Sequence, residues 1–100
     1  MSEVEETLKR IQNHQGVVGV IVSNSEGIAN RTNIDNSTTV QCSSQFSKLC
    51  KLARNCIREL DPENDLTFLR VRTKKNEVMC AAGSGPDDHM LLVIQSPSEN

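Results

Sequence analysis

The chain has 100 residues, thirteen of them acidic and eleven basic, for a net charge of −2, and Phe46 and Phe68 are its only aromatic side chains. That length accommodates one domain of ordinary size, about 100–150 residues, and so balanced a charge excludes the basic footprint that phosphate backbones select, hence no nucleic acid is expected as a partner. Leu, Ile, Val and Phe make up a quarter of the chain, enough for an aliphatic core, while the longest apolar run, Val17-Val18-Gly19-Val20-Ile21-Val22, falls far short of the ~20 residues of a membrane helix.

In chain order, the acidic N-terminus does not read as a signal peptide, and Ser2-Glu3-Val4-Glu5 has the form of a capping box, whose hydroxyl and carboxylate each accept a bond from an orphan amide. The helix it opens carries Val4, Leu8 and Ile11 on one narrow apolar stripe and ends before Gly16. Gly16 to Ser23 is almost continuously apolar and β-branched, which predicts a strand buried on both faces. Asn24-Ser25-Glu26-Gly27 supplies a turn, and the more polar stretch from Ile28 to Ile34 predicts an edge strand completing a hairpin.

Asp35-Asn36-Ser37-Thr38 offers several N-cap residues, and neither Gly nor Pro follows until Asp61-Pro62. On a helical wheel centred on Phe46, one side carries Leu52 at the rim, then Cys56, Leu49, Cys42 with Leu60, and Ala53 in order of approach to Phe46; Ile57 and then Cys50 lie on the other side. The resulting apolar stripe is about 160° wide, with Lys48, Lys51, Arg54, Asn55 and Arg58 opposite it. Such breadth fits either a deeply seated core helix or a helix that meets its own sheet on one flank and a partner helix on the other.

Asp61-Pro62-Glu63-Asn64-Asp65 breaks the helix, and a meander follows: a strand from Leu66 to Thr73, a turn at Lys74-Lys75-Asn76-Glu77, a strand from Val78 to Ala82, a connection from Ala82 to Asp88, and a strand from Met90 to Ile94 that is apolar on both faces. Ser96 to Asn100 reads as a frayed tail. The order α-β-β-α-β-β-β predicts an α+β fold, one five-stranded, mainly antiparallel sheet with helices packed on it, in a single domain over 1–100 whose ordered core runs from about 3 to 96.

Chemistry is sparse. Cys42, Cys50, Cys56 and Cys80 lack C-x-x-C spacing and read as reduced, buried thiols. His14 and His89 have no ligand at helical spacing, so no metal is expected. Gly16-Val17-Val18-Gly19 and Gly83-Ser84-Gly85 do not lead into a helix as phosphate loops do. Asp61, Glu63 and Asp65 lack the Gly and terminal Glu of a calcium loop and read as a solvated turn. Arg70 and Arg72 share one face of their strand, suited either to an acidic partner or to discouraging edge aggregation. Nothing joins a nucleophile, a base and an orienting group, so the expectation is a binding module with no catalytic residues and no cofactor, an enzyme built on Cys80 being the remote rival.

Three blocks in order carry a family resemblance: Val4 to Gln12; Gly19-Val20-Ile21-Val22 with Asn24, Glu26, Gly27 and Ile28; and Asp61 to Glu77. Leu92-Val93-Ile94-Gln95 adds a fourth. They resemble the roadblock-type dynein light chains, over about Val4 to Pro97. The resemblance implies the roadblock fold, a non-enzymatic dimer with itself or a paralogue through a helix at about Ser37 to Leu60 and a pairing strand at about Leu66 to Lys74, binding of a helical segment of the dynein intermediate chain, and a cytoplasmic, microtubule-associated place in a cytoplasmic or axonemal motor. Relatives with this fold also act as scaffolds or activators of small GTPases, which is the alternative role. The expected dimer contacts are Phe46, Leu49, Cys50, Ala53, Cys56, Ile57 and Leu60 on the helix and Leu66, Phe68, Arg70 and Arg72 on the strand. The chain departs from the family pattern at Gln41 to Phe46, Ala29 to Asn33 and Ala81 to Met90, the marks of a divergent paralogue.

Overall fold

In the computed structural model, residues 3–24, 26–82 and 89–96 are described. They form α1 (Glu3–Gln12), β1 (Val17–Asn24), β2 (Ala29–Thr32), α2 (Asn36–Leu60), β3 (Phe68–Arg72), β4 (Glu77–Ala82) and β5 (His89–Gln95). The expected Ser2 cap, most of the connection from Ala82 to Asp88 and the end of the tail lie outside the described residues. The strands make one sheet in the order β2-β1-β5-β4-β3, with every neighbouring pair antiparallel. The last strand of the chain is thus the central one, which accounts for its apolar character on both faces.

Alternation along the central strands divides the core. On one face Ile21, Val78, Cys80, Met90, Leu92 and Ile94 pack against α2 through Cys50, with Ile34, Phe46, Leu66 and Leu69 at the margin. On the other, Val20 and Val22 line an open cleft with Leu8, Lys9 and Gln12 of α1. The expectation that β1 is buried on both faces holds over its middle and fails at Val18, which is 56% exposed. The cause is a bulge: Val17 stands opposite Gln95 and Gly19 opposite Ile94, leaving Val18 as the extra residue. Gly19 makes room on the α2 face for the Ile34 side chain, which would have to shift to admit a Cβ there.

β2 is an edge strand, as its polar composition predicts, but shorter than the expected span from Ile28 to Ile34. Past Thr32 the side chain of Asn33 takes the place of its carbonyl, Oδ1 accepting from Val20 N–H at 2.8 Å while the Asn33 N–H donates to the Val20 carbonyl at 3.3 Å. Of the four N-cap candidates Asp35 is the one used: its Oδ2 accepts from Thr38 N–H at 3.0 Å. That bond favours the ionised carboxylate and lowers the Asp35 pKa from its ordinary value. α2 then runs unbroken to Leu60, and the Asp61 N–H closes it on the Ile57 carbonyl.

The N-terminal half of α2 lies close over the β1–β2 hairpin because its buried positions are small: Thr39, Ser43 and Ser47 recur every fourth residue. Gly27 completes the approach at φ +86°, and a Cβ there would stand 3.1 Å from the Ser47 Cβ and 3.3 Å from the Ser43 carbonyl oxygen. The Thr39 and Ser43 hydroxyls have partners. Thr39 Oγ1 lies 2.8 Å from Thr32 Oγ1, and Ser43 donates to the Thr39 carbonyl at 2.8 Å.

Candidate functional site

The C-terminal half of α2 presents what its N-terminal half does not, a row of exposed apolar side chains. Leu49, Leu52, Cys56 and Leu60 follow one another at three- and four-residue intervals, with Leu52 63% and Leu60 86% exposed. Half-buried Phe46, Ala53 and Ile57 border the row on the side nearer the sheet. The broad stripe is therefore split: the flank that carries Cys50 meets the chain's own sheet, and the flank from Leu52 round to Leu60 faces outward. Exposed singly, such residues would need no explanation; aligned on one helix, they form a surface suited to a second helix.

The turn after α2 fixes where this row ends and where β3 begins. Asp61 Oδ1 accepts from Glu63 N–H at 3.1 Å, and Asn64 N–H donates to the Asp61 carbonyl at 2.9 Å. Asp65 pairs with Arg54 of α2 at 3.0 Å and its Oδ1 accepts from Leu66 N–H at 2.7 Å. Asp61 and Asp65 are thus committed to capping the turn and joining it to the helix, the solvated-turn reading of this acidic stretch. These side-chain bonds also delay the ladder, so that β3 starts at Phe68 rather than Leu66.

β3 occupies the edge of the sheet opposite β2 and, among the described residues, pairs on one side only, with β4, from Phe68 opposite Ala81 to Arg72 opposite Glu77. Its other backbone edge is a template for a further strand. Leu69 packs toward the core while Phe68, Arg70 and Arg72 stand exposed on the opposite face. Arg70 lies across β4 there: its Nε meets Glu77 Oε2 at 3.3 Å, its Nη2 donates to Met79 Sδ at 3.5 Å, and its guanidinium carbon sits 5.9 Å from the centroid of the Phe68 ring. With Arg70 57% exposed the ion pair is worth at most about 1 kcal/mol, so its effect is chiefly to hold the guanidinium flat against the sheet.

The residues expected at a dimer contact therefore fall into three groups. Leu49, Cys56 and Leu60 are exposed, with Phe46, Ala53 and Ile57 beside them, on the outward flank of α2. Phe68, Arg70 and Arg72 share one face of β3, but it is the face turned away from α2, so the two sets stand on opposite sides of the sheet. Cys50 and Leu66 belong to neither. Cys50, 8% exposed, is committed to the chain's own core, and Leu66 packs at the margin of that core. The assignment of Cys50 to the helix contact is corrected accordingly: on the wheel it lies beyond Ile57, on the flank that the sheet covers. Cys56 corrects another expectation, since it is an exposed thiol rather than a buried one, and Cys42 is half-buried.

Leu52 is absent from the expected contacts although, at 63%, it is more exposed than Leu49. Its wheel position, at the rim of the stripe farthest from Cys50, is the signal that could have found it. Met79 and Glu77 were also missed, and only the β3–β4 register brings them under Arg70. Cys80 is 1% exposed, and burial, reinforced by the neighbouring Cys50, pushes its thiol well above the ordinary range. Both features are the reverse of what a nucleophilic cysteine requires.

Comparison with known proteins places these features in a family. The Roadblock/LC7 domain model matches residues 3–96. Among solved structures, the chain is similar to a Roadblock/LC7 domain from Streptomyces avermitilis at 14% identity, covering 91% of this chain and 73% of that one with a TM-score of 0.77. It is similar to an MglB in a tetrameric arrangement at 7% identity, covering 92% and 69% with a TM-score of 0.76. Myxococcus xanthus MglB matches at 14% identity over 96% and 77%, with a TM-score of 0.73. At such identities the shared feature is the fold, and together with the match along nearly the whole sequence it establishes that the chain belongs to the Roadblock/LC7 domain family.

Proposed function

We propose that this protein is a non-catalytic scaffold that dimerises through the outward flank of α2 and the edge of β3, and that the paired domain holds a regulatory partner. The observation that carries the reading is the row Leu49, Leu52, Cys56 and Leu60 on a helix whose opposite flank is already used by the sheet. Two-fold pairing would cover that row and add a strand to the β3 edge in one step, because an isologous contact uses the same patch on both subunits. Each fully buried Leu contributes about 1.5–3 kcal/mol of transfer energy, offset in part by the entropy of association.

The partner class we favour is a small GTPase, with the domain as scaffold or regulator. Two of the solved structures of similar fold described above are MglB proteins, and scaffolding or activation of small GTPases is a role that the family resemblance supplies. The second reading, a dynein light chain that grips a helix of the intermediate chain, rests on the sequence blocks from Val4 to Gln12 and from Asp61 to Glu77. Sedimentation equilibrium of the purified chain tests dimerisation, and a stable monomer would overturn it. Pull-downs with small GTPases loaded with GDP or a non-hydrolysable GTP analogue, set beside titration with a helical intermediate-chain peptide, separate the partners. Nucleotide-dependent capture supports the GTPase reading, whereas saturable peptide binding without it supports the motor reading.

A further inference from the structure

We propose that Cys50 and Cys80 form an intramolecular disulfide when the chain meets a low-molecular-weight disulfide, covalently tying the middle of α2 to β4. Their sulfurs stand 2.6 Å apart. Non-bonded heavy atoms rest at about 3.5 Å or more, whereas a disulfide bond is about 2.05 Å long. A thiol–thiol hydrogen bond, a weak donor on a weak acceptor, gives no reason for so close an approach. Both residues are buried, at 8% and 1% exposure, among Ile21, Val78, Leu92 and Ile94. The remaining cysteines differ in kind: Cys56 is exposed and Cys42 half-buried.

The chemistry is two successive exchanges. One cysteine, as its thiolate, attacks a sulfur of the small disulfide, forming a mixed disulfide and releasing one small thiolate. The other cysteine's thiolate then attacks the protein sulfur of that mixed disulfide and releases the second. The protein loses two electrons and two protons; the small disulfide gains both and leaves as two thiols. In the closed fold the first attack is hindered, since both cysteines are buried and burial keeps the Cys80 thiol protonated. Exchange therefore proceeds while the chain folds or when α2 lifts from the sheet, and the finished bond is shielded from reductant in the same way. The residues it joins are 30 positions apart. The loop it closes contains Leu52, Cys56, Leu60 and all of β3, so the bond would set how the outward flank and the sheet edge are presented.

The test is to refold the full chain in a mixture of oxidised and reduced glutathione, block free thiols in denaturant, and map the peptides by mass spectrometry. The expected product is lighter by two hydrogens, carries blocked Cys42 and Cys56, and yields one peptide joining Cys50 to Cys80. It should melt about 10 °C or more above the same chain refolded in reductant. The double variant Cys42→Ser with Cys56→Ser should behave identically. Four blockable thiols after refolding, or a link that runs through Cys42 or Cys56, would overturn the proposal. So would equal Tm values for the chain refolded in the glutathione mixture and the chain refolded in reductant. Cys50→Ala should abolish the reductant dependence; should that variant not fold, peptide mapping of the unaltered chain decides alone.

Discussion

The two halves of α2 invert the usual allocation of side chains. Its N-terminal half buries Thr39, Ser43 and Ser47, while its C-terminal half exposes Leu49, Leu52 and Leu60. A buried polar residue and an exposed apolar row are the informative departures from an ordinary burial pattern, and here they lie on one continuous helix. Small hydroxyl residues let the N-terminal half sit close over the β1–β2 hairpin, with the Thr39 and Ser43 hydroxyls hydrogen-bonded, so that half specifies a shape. The C-terminal half contributes Cys50 to the core and directs its large aliphatic side chains outward. The difference teaches that fold and assembly are assigned to different stretches of the same element, and that each should be breakable without the other.

The largest expected effect is on assembly. Leu52→Asp places a carboxylate in the seam and should weaken self-association by a hundredfold or more, about 3 kcal/mol, in sedimentation equilibrium. Its urea midpoint at monomer concentrations should scarcely move, because Leu52 is 63% exposed. If the variant dimerised with unaltered affinity, the seam would lie elsewhere. Gly27→Val is the reciprocal change, aimed at the N-terminal half. It puts a β-branched residue at φ +86° and its Cβ against Ser47 and the Ser43 carbonyl, at a cost of about 3 kcal/mol in urea unfolding. Loss of self-association without loss of stability in this variant would contradict the division between the halves.

Much of this arrangement was legible in the sequence. The helix expected at about Ser37 to Leu60 runs from Asn36 to Leu60, since it is bounded by a capping Asp and a Pro-containing turn and has no internal breaker. The roadblock fold and all seven elements followed from periodicity and from the matched blocks. What the wheel did not reveal was where within the broad stripe the sheet would lie: Cys50 and Leu49 differ by one residue and about 100°, and only the placement of β1, β4 and β5 decides which is buried. The alternation of Phe68, Arg70 and Arg72 was equally plain, yet their separation from the α2 row depends on which face of the sheet the helix covers. Strand ends were misjudged where side chains substitute for the ladder, as Asn33 does after β2 and Asp65 does before β3.

A smaller effect tests the joint between the helix row and the sheet edge. Asp65→Asn removes the charge that meets Arg54 and keeps an oxygen for the Leu66 N–H. The two side chains are 26% and 41% exposed, so screening limits the loss to less than about 1 kcal/mol, and that loss should shrink as salt is raised. A salt-independent loss in denaturant titrations would assign the role to turn geometry instead of charge.

The smallest effect concerns the N-terminal end of the same helix, where the Thr38 backbone N–H holds the Asp35 carboxylate below its ordinary pKa. A group whose folded pKa is depressed contributes stability that is fully present above its unfolded value, about 3.9, and is lost as pH falls through the lower folded value. Asparagine caps a helix as well as aspartate but does not titrate, so the difference in urea midpoint between the parent chain and Asp35→Asn isolates the charge. That difference should be level from pH 7 to about pH 5 and should move in favour of Asp35→Asn as the carboxylate protonates below about pH 4. A difference that stayed constant through the acid range would mean that the cap acts through its geometry alone. The depressed pKa would then contribute nothing to holding the N-terminal half of α2 in place.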